Sequence, residues 1–459
     1  MSNLSIPKNL TLVLSQHNTA CVVITKGNHY VVEVGSRQLN NLIREENPSL
    51  KSYDLTQIND SLIAKIEDMG VTRDVHYRVA PFNGGIEIDL NDTANTRVRV
   101  TAGKVNILKE GSETLFHRSA VSLPMVIPSD EGDLDALKKY TNLDPKTHFM
   151  FVAWISYTLA HPKISTSKYL ILVVKGDQGS CKSFLCRYVI LNLIDPNRAG
   201  LQKFPKTVND LAIATQHSHV LCFDNLRNLT QETSDALCIA STGGSINSRA
   251  LYTNSDQHIN RLHGALVLNG IHEFVRESDL AQRCLTLNMK VLPESERKSE
   301  ADMVREFEAD LPAIFKGLLD LIADVFKALP DAEVIYPERM YDFSKWLAAL
   351  ERIHGMDGGI FQSMYSEILS DSQLDTLMAN PLAVAMMKFC EDLSPLRKWS
   401  GTPQDLLDEL KTNLDKQLPQ NPITLSKRLT SIKAALLSQG ISVELTRGKN
   451  RQIKINLVQ

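Results

Sequence analysis

No C-x-x-C pair occurs among the seven cysteines of this sequence, and their odd number and apolar surroundings suggest neither a zinc site nor a disulfide framework. Such usage is that of a reduced, intracellular protein, and a cytoplasmic location is expected. No apolar run is long enough to cross a bilayer; the longest, residues 149–160, is expected to be a core helix. The N-terminus has no basic stretch leading into an apolar one, so no signal peptide is expected. Charge of either sign is not in excess. With a net charge of −3, any contact with nucleic acid must rest on local patches. Internal repeats and low-complexity tracts are absent. What remains, 43% hydrophobic and 22% charged residues over 459 positions, suits an ordinary globular chain. At roughly 100–200 residues per domain, such a length predicts about two to four domains.

Changes of pattern divide the chain. Residues 1–125 read as an α+β accessory domain, with strand-like pieces at 30–34, 77–80, 86–90 and 97–108 and helical patterns at 37–46 and 55–69. Glu87 and Asp89 alternate there on one strand face, a spacing able to hold a metal but more commonly a polar outward face. The polar, proline-containing segment 123–133 reads as a linker. Residues 134–292 alternate helical and apolar strand patterns, as expected of an α/β domain with a mostly parallel sheet. Residues 293–395 carry amphipathic helical patterns at 301–329 and 342–353, a helical lid region. Residues 396–459 form a small module punctuated by prolines.

The most informative stretch is KYLILVVKGDQGSCKS, residues 168–183. An apolar β-branched run breaks at Gly176 into Gly176, Asp177, Gln178, Gly179, Ser180, Cys181, Lys182 and Ser183, and a helical pattern follows. Strand, glycine-containing loop ending in Lys-Ser, then helix is the arrangement of an ATP-binding P-loop. Its backbone N–H groups cradle phosphates, Lys182 reaches the β/γ-phosphates and Ser183 holds Mg²⁺. Cys181 stands where G-x-x-x-x-G-K-[ST] has glycine. Being small and uncharged, it is expected to be tolerated where glycine mainly permits close approach to the phosphates. A space-filling role is favoured over a redox-sensitive thiol at a helix N-terminus.

Further on, HVLCFDN ends an apolar strand in Asp224, expected next to the P-loop strand as the acid of the Mg²⁺ shell. GALVLNGI ends another in Asn269, placed to orient attacking water or sense the γ-phosphate. Beyond it Arg276 and Arg283 are spaced as two helical turns, so they are expected on one face. There they suit arginine fingers reaching the ATP of a neighbouring subunit. Three buried strands with polar ends by coincidence is the plainer explanation, and the ordered set makes it the weaker one.

Taken together, GDQGSCKS, HVLCFDNLRNL, SDALCIASTGGSINSRALYT, LVLNGI and SDLAQR, followed by ERMYDF near Arg339, resemble the P-loop ATPases of phages and mobile elements. These are close to superfamily-3 and AAA+ helicases and related to poxvirus-type primase-helicases. The likeness covers residues 75–459. It implies an α/β P-loop NTPase core binding ATP and Mg²⁺, in an oligomeric, hexameric ring that works on single-stranded or forked DNA during element replication. Two departures stand out. Most such motifs have an acid after the metal-binding Asp, whereas Asn225 follows Asp224, leaving the general base to Glu232, Asp235 or Asp177, or hydrolysis slow. Superfamily-3 helicases also carry a β-hairpin with a basic tip. Residues 245–252, the turn TNSD and 257–262 read as that hairpin, without Lys or Arg in the turn. Arg249 and His258, which flank it, are the candidate DNA contacts.

At the C-terminal end, Lys427, Arg428, Lys433, Arg447, Lys449, Arg451 and Lys454 face only one acid, Glu444. Thr402-Pro403 opens one helix. Thr424 is expected to cap a second, with Leu425, Leu429, Ile432 and Leu436 on one face and Gly440 at its end. Two strands, 441–446 and 452–457, follow around RGKNR. This is a winged-helix pattern, in which Lys427, Arg428, Arg447, Lys449 and Arg451 would meet DNA phosphates. A small lid or protein-contact module with solvated lysines is the alternative. Two functions fit the whole. One is a replicative helicase hydrolysing ATP at the subunit interfaces of a ring. The other is a nucleotide-gated DNA-binding initiator or defence scaffold that assembles without unwinding. In either, residues 1–125 pack on the motor or recruit a replication or defence partner.

Overall fold

The computed structural model describes residues 11–25, 27–249, 257–356, 358–393, 397–411, 418–446 and 451–458. At its centre the strands Leu201–Gln202, Val220–Leu226, Ala265–Gly270, Ile171–Lys175 and Cys284–Asn288 lie side by side in that order, all parallel. Parallel strands need crossover connections, which lay cover on both faces of the sheet. The alternating side chains divide accordingly. Leu172, Val174, Cys222, Val267, Leu285 and Leu287 share a core with the helices Pro145–Ala160 and Glu300–Ala328. Ile171, Val173, Leu221, Phe223, Leu266 and Leu268 share another with the helices Val208–Gln216 and Gln231–Thr242.

The expected core helix is present as Pro145–Ala160. Asp144 opens it by accepting hydrogen bonds from the Lys146 and Thr147 N–H groups, and Pro145 sets the first turn. The polar tips of its two largest buried side chains, Trp154 and Tyr157, are satisfied. Trp154 Nε1 donates to Leu170 O at 2.7 Å and Tyr157 Oη to Lys168 O at 2.7 Å. Helices Glu300–Ala328, Tyr341–Ile353 and Ile360–Met378, in the region expected as a helical lid, pack directly on the sheet. Phe307, Phe315, Trp346 and Tyr365 belong to the same core as the sheet, and Trp346 Nε1 donates to Ser156 Oγ at 3.0 Å.

The N-terminal part holds two sheets. Helices Arg37–Glu46 and Ser52–Met69 cover one face of a six-stranded sheet built from residues 11–33, 72–76 and 115–117. A four-stranded antiparallel sheet follows, Val79–Phe82, Gly85–Asp89, Arg97–Thr101 and Lys104–Leu108. The single strand expected over 97–108 is therefore a hairpin, turned at Gly103 with φ +67°. The core does not divide at residue 125, since Val79, Ile86, Ile88, Val98 and Val100 pack into the core of the Glu300–Ala328 helix.

Glu87 and Asp89 are neither a metal pair nor an outward polar face. Both are buried and paired: Glu87 with Arg99 at 2.9 Å, Asp89 with Arg97 and with Arg118 at 2.7 Å. Arg78 beside them reaches Asp195 at 2.8 Å, and Asp195 also accepts from the His219 N–H at 2.7 Å. This network fastens the four-stranded sheet to the central domain.

The C-terminal unit has its own core and begins earlier than residue 396. Leu382, Ala383, Met386 and Cys390 of helix Pro381–Asp392 pack with Leu406, Leu425, Leu429 and Ile455. Helices Pro403–Lys411 and Pro422–Ser438 follow, with the antiparallel sheet Lys398–Gly401, Ile453–Leu457 and Ile441–Leu445 in that order. Thr402 caps its helix as expected, accepting from the Asp405 N–H at 3.2 Å. The next cap is Asn421, not Thr424. Asn421 Oδ1 accepts from the Thr424 N–H at 2.8 Å, and Pro422 already lies in the first turn.

Burial pushes the Asp89 pKa up, but the hydrogen bond and charge of Arg118 and the charge of Arg97 outweigh it and hold the carboxyl below its ordinary value. Asp89→Ala is expected to destabilise the fold by about 3–5 kcal/mol in urea unfolding, because Arg97 and Arg118 stay buried without their partner. A depressed carboxylate pKa stabilises the fold above the unfolded-state value and loses that effect as pH falls through the folded one. The gap between wild type and variant should therefore hold at neutral pH and narrow only below about pH 4.

Candidate nucleotide site

The P-loop strand Ile171–Lys175 leads into a turn that only certain residues can make. Gly176 has φ +155°, and a Cβ there would meet Met289 O at 2.5 Å and Ser180 Oγ at 2.7 Å. Gly179 has φ +83°. Cys181, with φ +64° and ψ 22°, is left-handed too. Glycine at this position would thus serve backbone conformation as well as close approach, and a side chain there costs about 1–2 kcal/mol. Burial raises the Cys181 thiol pKa, the opposite of an activated redox thiol. The chain then runs α-helical over Lys182–Phe184, π-helical over Leu185–Ile190 and α-helical over Leu191–Ile194.

Lys182 folds back on its own loop. Nζ donates to Gly176 O at 2.7 Å, Asp177 O at 2.8 Å and Ser180 Oγ at 3.2 Å. Burial lowers its pKa, against the opposing charges of Asp177 and Asp224. Ser183 beside it is exposed.

Asp224 is not on the neighbouring strand of the P-loop strand, as the sequence suggested. Ala265–Gly270 lies between the two, so Asn269 occupies the middle position. Pairing slips from Phe223↔Leu268 to Leu226↔Gly270, a bulge that sets Asp224 and Asn225 against Asn269 alone. Asn269 Nδ2 donates to Asp224 Oδ1 at 2.7 Å. A carboxylate only accepts, so the amide nitrogen must face it. Asn269 Oδ1 is then a buried acceptor with no partner among the described residues. Asn225 is left-handed at φ +58°, a conformation that Asn tolerates and Glu resists, which gives the missing second acid a backbone reason. Glu232, Asp235 and Asp177 are all exposed.

Arg276 and Arg283 do not share a helical face. Only Ser278–Ala281 is helical, and Arg276 precedes it as coil, exposed beside a crevice bordered by Ser431, Ile432 and Ala435. Arg283 O accepts from the Ile171 N–H at 2.9 Å, which puts Arg283 at the sheet edge opposite Lys182. Its Nη1 donates to Asp279 Oδ2 at 2.6 Å, and Arg339 holds the other Asp279 oxygen at 2.6 Å. Arg297 escaped the sequence reading, having no motif around it. It is the first group a Cβ on Gly179 would meet, and the Leu292 N–H donates to Gly179 O at 3.4 Å.

The hairpin is present, with Gly244–Arg249 antiparallel to Gln257–Leu262 and Ser248 paired with His258. Its tip, residues 250–256, lies outside the described residues, as do Arg447 and Lys449. Lys427, Arg428 and Arg451 are exposed on the C-terminal unit.

Residues 134–373 match the family model of the actinomycete integrative conjugative element replication protein, and residues 382–459 match the RepA C-terminal domain of the same elements. The chain belongs to this family. The boundary between the two matches coincides with the break between the central core and the C-terminal one, so this replication protein is divided where its packing divides. No curated protein matches it. Among solved structures it is similar to the SCCmec type IV Cch, described as an active helicase, at 12% identity over 99% of this chain and 95% of that one, with a TM-score of 0.45. It is also similar to the NrS-1 C-terminal region, at 11% identity over 98% and 97%, with a TM-score of 0.40. At those scores neither likeness bears on what this family member does. Among the described residues, no helix is long and apolar enough to cross a membrane.

Cys181→Gly should raise stability by about 1 kcal/mol in thermal unfolding, since glycine takes the left-handed conformation without strain. If the loop takes a nucleotide as proposed below, Arg297 beside Gly179 is near enough to add one charge-assisted hydrogen bond, and Arg297→Ala should then weaken ATP binding about tenfold in calorimetric titration.

Proposed function

We propose that this replication protein is an ATP-driven DNA motor, a replicative helicase of its element, hydrolysing ATP between the subunits of a ring of hexameric size. The observation that carries the reading is the sheet edge itself. The Lys182 loop, Asp224 and Asn269 converge there, with Asn269 hydrogen-bonded to Asp224 at 2.7 Å and its carbonyl oxygen left over. These residues fit the group they would hold. Lys182 and the loop N–H groups suit phosphate oxygens, and Ser183 and Asp224 suit Mg²⁺, which neutralises phosphate charge when bound. Asn269 Oδ1 accepts a proton-bearing group and so suits a water molecule held for attack.

Arg283 sits at the opposite edge and acts in trans on this reading. Stacking one subunit on the next head-to-tail brings that edge to a neighbour's loop. Arg276, in coil beside the C-terminal unit, supports a second trans contact only through the same stacking. The C-terminal unit reads as a winged helix whose Lys427, Arg428, Arg447, Lys449 and Arg451 meet DNA phosphates, with Arg249 and His258 of the hairpin as a second contact. The N-terminal domain serves as accessory or recruiting module. Exposed Glu232 and Asp235 and the left-handed Asn225 favour a second reading, an initiator that assembles with ATP without unwinding.

ATP turnover with and without single-stranded DNA, beside strand displacement on a forked duplex, separates the readings. DNA-stimulated turnover with unwinding supports the motor, assembly without unwinding supports the initiator, and indifference to DNA overturns both. Lys182→Ala should abolish ATP binding while the circular dichroism spectrum stays unchanged. Mixing Lys182→Ala with Arg283→Ala subunits, each inactive alone, should restore part of the turnover; no recovery would remove the shared site.

A further inference from the structure

Glu33, His117 and His217 are far apart in sequence and meet where the N-terminal sheet abuts the central domain. Glu33 ends the strand Tyr30–Glu33, and His117 ends Leu115–His117, which pairs parallel with it. His217 caps the helix Val208–Gln216. Each is half-buried and offers one ligand atom, and the three atoms lie within 4.8 Å of one another. His117 Nε2 is 3.4 Å from Glu33 Oε1, and the two imidazole rings are 6.2 Å apart between centroids.

An ion pair between Glu33 and His117 alone would account for one of these contacts but not for the second imidazole. Tetrahedral bonds of about 2.0–2.2 Å place ligand atoms about 3.3 Å apart, so the Glu33–His117 edge already has the required length. Closing the other edges takes at most about 1.5 Å, within the reach of side-chain torsions. Two imidazoles and a carboxylate with a fourth position open form a ligand set shared by zinc and ferrous iron, and the tetrahedral edge length above is the one zinc takes. The cysteine pattern gave no hint of it, because none of its ligands is a thiolate.

We propose that Glu33, His117 and His217 bind a divalent transition-metal ion of the zinc class, joining the N-terminal sheet to the Val208–Gln216 helix. That helix is a consequential place to hold. Asn209 Oδ1 accepts from Asn260 Nδ2 of the hairpin at 2.7 Å, and the strand after the helix carries Asp224. The ion thereby ties the accessory domain to the element lying between the hairpin and the nucleotide edge.

The test uses the full chain, stripped with a chelator, dialysed and titrated with Zn²⁺ alone by calorimetry, with bound metal counted by mass spectrometry. About one Zn²⁺ per chain at micromolar or tighter affinity is expected, with a rise in melting temperature. His117→Ala and His217→Ala should each weaken binding roughly tenfold or more and remove the thermal shift. If His117→Ala fails to fold, His217→Gln at the helix end carries the same test, with folding checked by circular dichroism. Binding only at millimolar Zn²⁺, or affinity unchanged in a folded histidine variant, overturns the proposal.

Discussion

The pairing of Ala265–Gly270 between the P-loop strand and the Asp224 strand is the constraint on which the candidate site depends. Val174 pairs with Asn269 on one side, and the bulge sets Asp224 against Asn269 on the other. A slip of one residue would turn Leu266 and Leu268 out of one core and Val267 out of the other. Apolar residues that take no part in any chemistry therefore fix where the polar ends fall. The same strand settles which of two possible neighbours Asp224 addresses, because it keeps the P-loop strand one position away.

Two departures from the expected motif have a common cause in the backbone. Cys181 and Asn225 are both left-handed, and both stand where a different residue was expected. At Cys181 the conformation is one that glycine adopts freely, so the cysteine carries strain. At Asn225 the bulge imposes a conformation that asparagine tolerates and most other side chains resist. The first is a substitution the fold endures; the second is one the fold favours.

Much of this was legible in the sequence because the signals were local. Apolar runs gave the sheet strands, amphipathic patterns gave the helices at 37–46 and 342–353, and Thr402-Pro403 gave a helix start. The losses came where neighbours in space decide. Glu87 and Asp89 looked like an outward face because their arginine partners lie on other strands and beyond, at Arg97, Arg99 and Arg118. Arg276 and Arg283 have helical spacing, yet the chain is helical only over Ser278–Ala281. Strand order left no trace in the sequence, so the place of Asn269 between the other two ends was hidden. Arg297 was invisible for the same reason, lying beside the loop through the return of the chain after Cys284–Asn288.

The three oxygens around the Lys182 ammonium carry a consequence for affinity. Any phosphate recruited there trades places with carbonyl and hydroxyl acceptors that already satisfy the cation. Binding is then a displacement reaction, and its strength measures the preference of one ammonium for charged over neutral oxygen, not the whole attraction between opposite charges. Substitutions that loosen the loop's grip on Lys182 without touching the nucleotide can therefore tighten binding, and those that strengthen the grip can weaken it.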